Sequence, residues 1–127
     1  MGKDERSTYT IQSDENLGEV QIADEVVAII AGLAAMEVEG VASMAGNATR
    51  ELISKLGMKS LSKGVKVDVL DGIVTVSLAL NLKYGYSIMD ISGKVQDKVK
   101  TAIENMTGLI VADVNIRIAG VDMQGEE

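Results

Sequence analysis

Two stretches of helical period, a sharp hairpin signal and a closing stretch of strand alternation predict an α+β fold. The expected form is a two-layer sandwich: a mostly antiparallel sheet of four or five strands covered by two main amphipathic helices, in the order β-α-β-β-β-α-β. The helical stretches fall at about residues 24–38 and 88–106, the hairpin turns at Asp71-Gly72, and the alternation runs from Ile110 to Ile118. At 127 residues the chain suffices for one core and is too short for two independent ones. Residues 17–123 are read as that single domain, 1–16 as a mobile, polar N-terminal arm and 124–127 as a disordered tail.

The elements follow in order. Val20 and Ile22 alternate with Glu19 and Gln21, which predicts a short strand. From Asp24 the period changes, and Val26, Ile29, Ile30, Leu33 and Met36 mark one helix face with Gly40 placed as a left-handed stop. Val41 to Met44 suit a short strand, and residues 49–64 read as a loose, partly helical excursion interrupted by Gly57. Asp71-Gly72 favours the positive φ angles of a two-residue turn, which pairs Leu70 with Ile73, Val69 with Val74, Val67 with Val76 and Val65 with Leu78. That register puts the last three of these pairs on one face, continued by Leu80, Leu82 and Tyr84, while Thr75, Ser77, Asn81 and Lys83 point the other way. Ser87 stands at an N-cap position, and Ile88, Ile91, Val95, Val99, Ala102, Ile103 and Met106 form the stripe of a second helix that Gly108 stops. The last strand alternates Ile110, Ala112, Val114, Ile116 and Ile118 against Asp113, Asn115 and Arg117.

Composition removes whole classes of chemistry. With no His and no Cys, imidazole catalysis, thiol chemistry, disulfides and the usual zinc sites are excluded. The apolar 46% is aliphatic, since the chain has three Tyr and no Phe or Trp. No charged and apolar leader opens the sequence, the apolar stretch from Val26 to Met36 is too short to span a bilayer, and Arg6 stands where N-myristoylation wants Ser or Thr. A cytoplasmic protein is expected. The net charge of −7 disfavours nonspecific nucleic-acid binding unless cations are segregated.

They are segregated in one segment. Arg50, Lys55, Lys59, Lys63 and Lys66 face only Glu51, so residues 50–66 carry +4 (five cations less one acid) and the remainder −11. Any α-helix there would align Lys55, Lys59 and Lys63 on one side. This segment is a candidate contact for anionic lipid, nucleic acid or an acidic partner, and the plainer alternative is a solvated loop. Gly85, Gly93 and Lys94 do not make a phosphate loop, because seven residues separate the glycines and Val95 follows the lysine. Asp90, Asp97, Glu104 and Asp113 are scattered without the spacing of an acid/base pair, so no catalytic residue, metal site or cofactor is expected. Asn47-Ala48-Thr49 and Asn105-Met106-Thr107 match glycosylation acceptors that a chain without a leader does not present to that machinery.

From Gly18 to Met123 the chain resembles the alkaline-shock or Gls-type envelope stress response family of Gram-positive bacteria. The matching residues are Gly18-Glu19-Val20-Gln21-Ile22-Ala23 before Val26, Glu37-Val38-Glu39-Gly40-Val41 with Met44, Lys63-Gly64-Val65, Tyr84-Gly85, Val95-Gln96, Met106-Thr107-Gly108-Leu109 and Val114-Asn115-Ile116. The resemblance implies a cytoplasmic protein without established catalysis that associates with itself and with a membrane-anchored protein partner, becoming membrane-associated through that partner. Within these motifs Tyr84, Gln96 and Asn115, with Tyr86 beside them, are candidate interaction residues. Core or rim packing is the alternative for the tyrosines and plain exposure for the amides. A nucleic-acid-binding module using Arg50 to Lys66 is the second functional reading, though the chain lacks the GXXG loop of KH domains and the aromatic platform of RRM domains.

Overall fold

The structure, a computed structural model, describes residues 8–12, 19–45 and 58–123. Its elements are β1 (Thr8–Gln12), β2 (Glu19–Ala23), α1 (Asp24–Met36), β3 (Val41–Met44), a 3₁₀ segment (Met58–Gly64), β4 (Val65–Leu70), β5 (Ile73–Lys83), α2 (Ile88–Thr107) and β6 (Ile110–Asp122). The protein is an α+β sandwich: one layer is a four-stranded sheet, the other holds the two helices.

Strand β5 is the axis of the sheet. One side of it is shared end to end by β4, antiparallel against Ile73–Leu78, and β3, antiparallel against Leu80–Leu82. Along the other side β6 runs parallel, from Ile73 opposite Ile110 to Lys83 opposite Asp122. The parallel pairing follows from α2, whose 20 residues span about 30 Å and carry the chain back to the hairpin end before β6 begins. The β4–β5 hairpin has the register read from Asp71-Gly72, with both turn residues at positive φ.

Burial along β5 alternates as expected. Val74, Val76, Leu78, Leu80 and Leu82 are buried beneath the helices, and Val65, Val67 and Val69 pack half-buried beside them. From α2 the core receives Ile91, Val95, Val99 and Ile103, whose spacing is one helix face. Ser87 caps that helix by accepting from the Asp90 N–H at 3.3 Å, and Gly108 closes it at φ 79°.

Several expectations are corrected. Thr8–Gln12, placed in the mobile arm by polarity, form a strand antiparallel to β2, where β-branched and aromatic residues override the polar average. The remaining residues expected to be arm or tail lie outside those described. β2 pairs with β1 rather than joining the main sheet. In α1 the buried residues are Val27, Ala28, Ile30, Ala31, Gly32, Ala34, Ala35 and Met36, while Val26 is exposed. The helix meets α2, the 3₁₀ segment and the sheet, so an apolar surface all round replaces the single stripe. Its last turn ends at Met36, and Gly40 lies in the following loop at φ 104°. The stripe of α2 frays at both ends, where Ile88 and Met106 are exposed. β5 ends at Lys83, leaving Tyr84 beyond the strand and exposed.

The last strand departs most from strict alternation. Val74 pairs with Val111 but Thr75 with Asp113, so Ala112 is an extra residue and a bulge reverses the phase. Val111 is therefore buried, while Ile110 and Ala112 face outward. A second bulge at Ala119 brings Gly120 opposite Asn81.

Candidate interaction surface

The sheet face away from the helices is uncovered by any described element, and its side chains stand in rows across three strands. At the hairpin end Leu70, Ile73 and Ile110 share a row and are all exposed. Next come Asp68, Thr75 and Asp113, then Lys66, Ser77 and Asn115, then Ala79 beside Arg117. A carboxylate row thus adjoins a cationic one.

The cationic rows line an open trough of about 550 Å³, bordered by Lys63, Lys66, Ser77, Asn115 and Arg117 with Ala79 on its floor. Backbone crowding shapes it. A Cβ on Gly64 would lie 3.0 Å from the Ala45 carbonyl oxygen and 3.2 Å from that of Ala79, so glycine lets the end of the 3₁₀ segment press onto the sheet and deliver Lys63 and Lys66 to one place. None of the residues lining the trough is acidic, and none is aromatic. Three flexible cations over a partly apolar floor suit a carboxylate- or phosphate-bearing segment that also brings aliphatic surface.

The sequence-predicted residues divide accordingly. Lys63, Lys66 and Asn115 converge on the trough, while Arg50 and Lys55 lie outside the described residues. Lys59 falls within the 3₁₀ segment, where four residues turn the chain by a third of a revolution beyond a full turn, so the α-helical spacing that would align Lys59 with Lys63 does not apply. Arg117 also lines the trough, although nothing in its own stretch of sequence singles it out. It alternates outward in β6 beside Asn115, but only the pairing of β6 with β5 brings it to the lysines.

Gln96 turns inward upon its own fold, donating from Nε2 to the Val114 carbonyl at 3.0 Å. This joins two family-like motifs, Val95-Gln96 and Val114-Asn115-Ile116. Glu104 makes a companion contact, its Oε2 accepting from the Val111 N–H at 2.9 Å. Together they tie α2 to the edge of the sheet.

Tyr86 braces two loops. Its hydroxyl donates to Glu39 Oε2 at 3.1 Å, and its ring lies so near Gly40 that a Cβ there would be 2.9 Å from Tyr86 Cδ2. The hydrogen bond to Glu39, then the carboxylate's charge, raises the Tyr86 pKa above the usual 10.0. Because the folded value is raised, any stability from this contact is fully present below the ordinary tyrosine pKa and is lost as pH rises through the folded one. Phenolate absorbance titrated in wild type and Glu39→Gln should show one late-titrating tyrosine that returns toward the usual range in the variant. An unchanged titration curve would remove the contact from solution. Tyr84 makes no such side-chain bond and stands exposed at the far end of the sheet, where its N–H donates to the Asp122 carbonyl at 3.2 Å.

Among the described residues no three or more carboxylates gather where they could hold a metal ion, and no helix is long and apolar enough to cross a membrane.

Known proteins share the sequence across most of the domain. A model of the alkaline-shock family, described as having a cell envelope-related function, matches residues 12–123. YqhY of Bacillus subtilis (strain 168) is 40% identical over 108 residues, which cover 85% of this chain and 80% of that protein. YloU of the same organism is 31% identical over 114 residues, covering 88% and 95%. A Streptococcus pyogenes serotype M3 protein named as a stress response regulator gls24 homolog is 30% identical over 111 residues; these are 87% of this chain but 61% of that protein. Among solved structures the MamM CTD H285A variant is similar in fold, with a TM-score of 0.50 at 9% identity over 79% of this chain and 100% of that one.

Proposed function

The chain belongs to the alkaline-shock family, whose function is cell envelope-related, and from this premise we propose that it acts in the envelope stress response without catalysis of its own. It associates with itself and with a membrane-anchored protein partner, reaching the membrane from the cytoplasmic side through that partner. The observation that carries this reading is the bare sheet face with its trough of Lys63, Lys66 and Arg117 around Asn115. One sheet face is committed to the core; the other offers charge and apolar surface to a partner.

The partner's contacting segment is acidic, with aliphatic residues for the trough floor. Nucleic acid fits less well. Asp68 and Asp113 stand one row from the cations and would repel a phosphate backbone crossing the face, and the trough has no ring on which a base can stack.

Affinity capture from the membrane fraction of a Gram-positive cell tests the proposal. Lys63→Glu with Lys66→Glu should reduce recovery of a membrane-anchored protein about tenfold or more, because two attractive pairs become repulsive. Light scattering on the purified chain should show a species larger than a monomer. A strict monomer that captures no envelope-linked protein would refute the proposal, and salt-dependent binding to RNA or DNA lost in the same variant would replace it with the nucleic-acid reading.

A further inference from the structure

Strand β6 forms one side of the sheet, and among the described residues no strand pairs with its outer edge. Such an edge ordinarily invites pairing. The contacts from α2 fix which backbone groups face outward. The Val114 carbonyl, held by Gln96, points away from β5, and since backbone direction alternates along a strand, so do the polar groups of Ile116 and Ile118 as far as the bulge at Ala119. Asp113, Asn115 and Arg117 stand exposed on the bare face, with Val114, Ile116 and Ile118 turned toward the core.

About Asn115 this edge is complementary to its own reverse. Reading outward from that residue, Val114 is matched by Ile116 and Asp113 by Arg117. We propose that β6 pairs antiparallel with β6 of a second copy about a two-fold axis through Asn115, joining two four-stranded sheets into one of eight. In that register Val114 and the second copy's Ile116 exchange backbone hydrogen bonds, because both present their polar groups outward. Asn115 faces its own counterpart at a non-hydrogen-bonded site, where side chains come closest and two carboxamides can bond to each other. Asp113 then lies opposite the second copy's Arg117, and the symmetry makes this ion pair twice. A shift of two residues in either direction misaligns both pairs, so the charges select the register. Gln96 need not leave, since the Val114 carbonyl has a second lone pair for the incoming N–H.

This pairing rests on the self-association proposed above and specifies its surface. It also gives Arg117 two places at once, since this residue lies both on the trough and on the β6 edge, whereas Lys63 and Lys66 lie on the trough alone.

Sedimentation equilibrium of the full chain, wild type and three charge variants, tests it. Asp113→Arg alone and Arg117→Asp alone each set like charges opposite one another twice and should weaken dimerisation at least about tenfold. Combining the two substitutions in one chain restores the complementarity and should restore the dimer. Mixing the two single variants should do so as well, because one then presents two arginines to the other's two aspartates. Circular dichroism confirms that each variant is folded. Single variants that dimerise like wild type would overturn the proposal while leaving self-association to another surface. Weakened single variants with no rescue in the mixture or the double variant would overturn the antiparallel register. A wild type that stays monomeric at every concentration would overturn both this pairing and self-association itself.

Discussion

Leu61→Ala is expected to lower the unfolding free energy by about 2–5 kcal/mol, the cost of emptying a fully packed leucine site. Leu61 is completely buried, although it sits in a short 3₁₀ segment that the sequence presents as loose. The reason is Gly32 in the middle of α1. A Cβ there would stand 2.9 Å from both the Leu61 Cβ and the Leu61 carbonyl oxygen, so the segment lies directly on the helix backbone. Glycine costs about 1 kcal/mol in a helix interior relative to alanine, which the close seating of Leu61 offsets. Urea denaturation should show a lower midpoint for Leu61→Ala at an unchanged slope. A change below about 1 kcal/mol would mean that the 3₁₀ segment is not docked on α1, and the placement of Lys63 at the trough would fall with it.

Gly40→Ala should cost about 2–6 kcal/mol, from two separable causes. At φ 104° an L-residue is strained, worth about 1–3 kcal/mol, and overpacking adds a similar amount. The packing cause is specific, since the new Cβ would come within 2.6 Å of Ile91 Cδ1 and 2.9 Å of Tyr86 Cδ2. Gly85→Ala separates the two. Its φ of 99° is nearly the same, but no atom lies within 4 Å of the Cβ position, so it carries only the strain. The Gly40 variant should therefore be the less stable by about 1–3 kcal/mol in thermal or urea unfolding. Equal losses would indicate that Tyr86 and Ile91 do not close over Gly40.

Much of this architecture is legible in the residues because local and tertiary preferences agree. Asp71-Gly72 sets a hairpin register that burial along β5 then satisfies, and Ser87 with Gly108 bounds α2 at both ends. What is not legible depends on partners distant in sequence. The phase of α1 cannot be read from a helix that is apolar nearly all round; α2 and the 3₁₀ segment decide it. The bulge at Ala112 is equally hidden, because it arises where β6 meets β5 and not from any residue in its own pattern.

The same division runs through the candidate surface. Lys63 and Lys66 stand out by charge alone, but Arg117, more than fifty residues on, joins them only through the parallel pairing of β5 and β6. Gln96 falls on a polar helix face in the sequence, and its engagement of Val114 depends on α2 lying along the sheet edge. The family-like motifs, with Tyr86 beside them, are largely structural in this light. Gly40 with Tyr86 closes one end, Gln96 with Val114 fastens the edge, and Thr107 secures the α2 exit by donating to the Ile103 carbonyl at 2.6 Å and accepting from the Leu109 N–H at 3.1 Å. Asn115 faces outward on the bare sheet face, as Tyr84 does at its far end.

The central claim is that the helix-covered side of the sheet maintains the fold while the bare face and its β6 edge make the contacts with other molecules. Hydrogen exchange on the full chain, followed from dilute to concentrated solution, tests it most directly. Slower exchange on association should be confined to β6, chiefly the outward amides of Val114, Ile116 and Ile118, with α2 unchanged. Protection that appears along α2 while β6 exchanges as before, or no dependence on concentration at all, would contradict it.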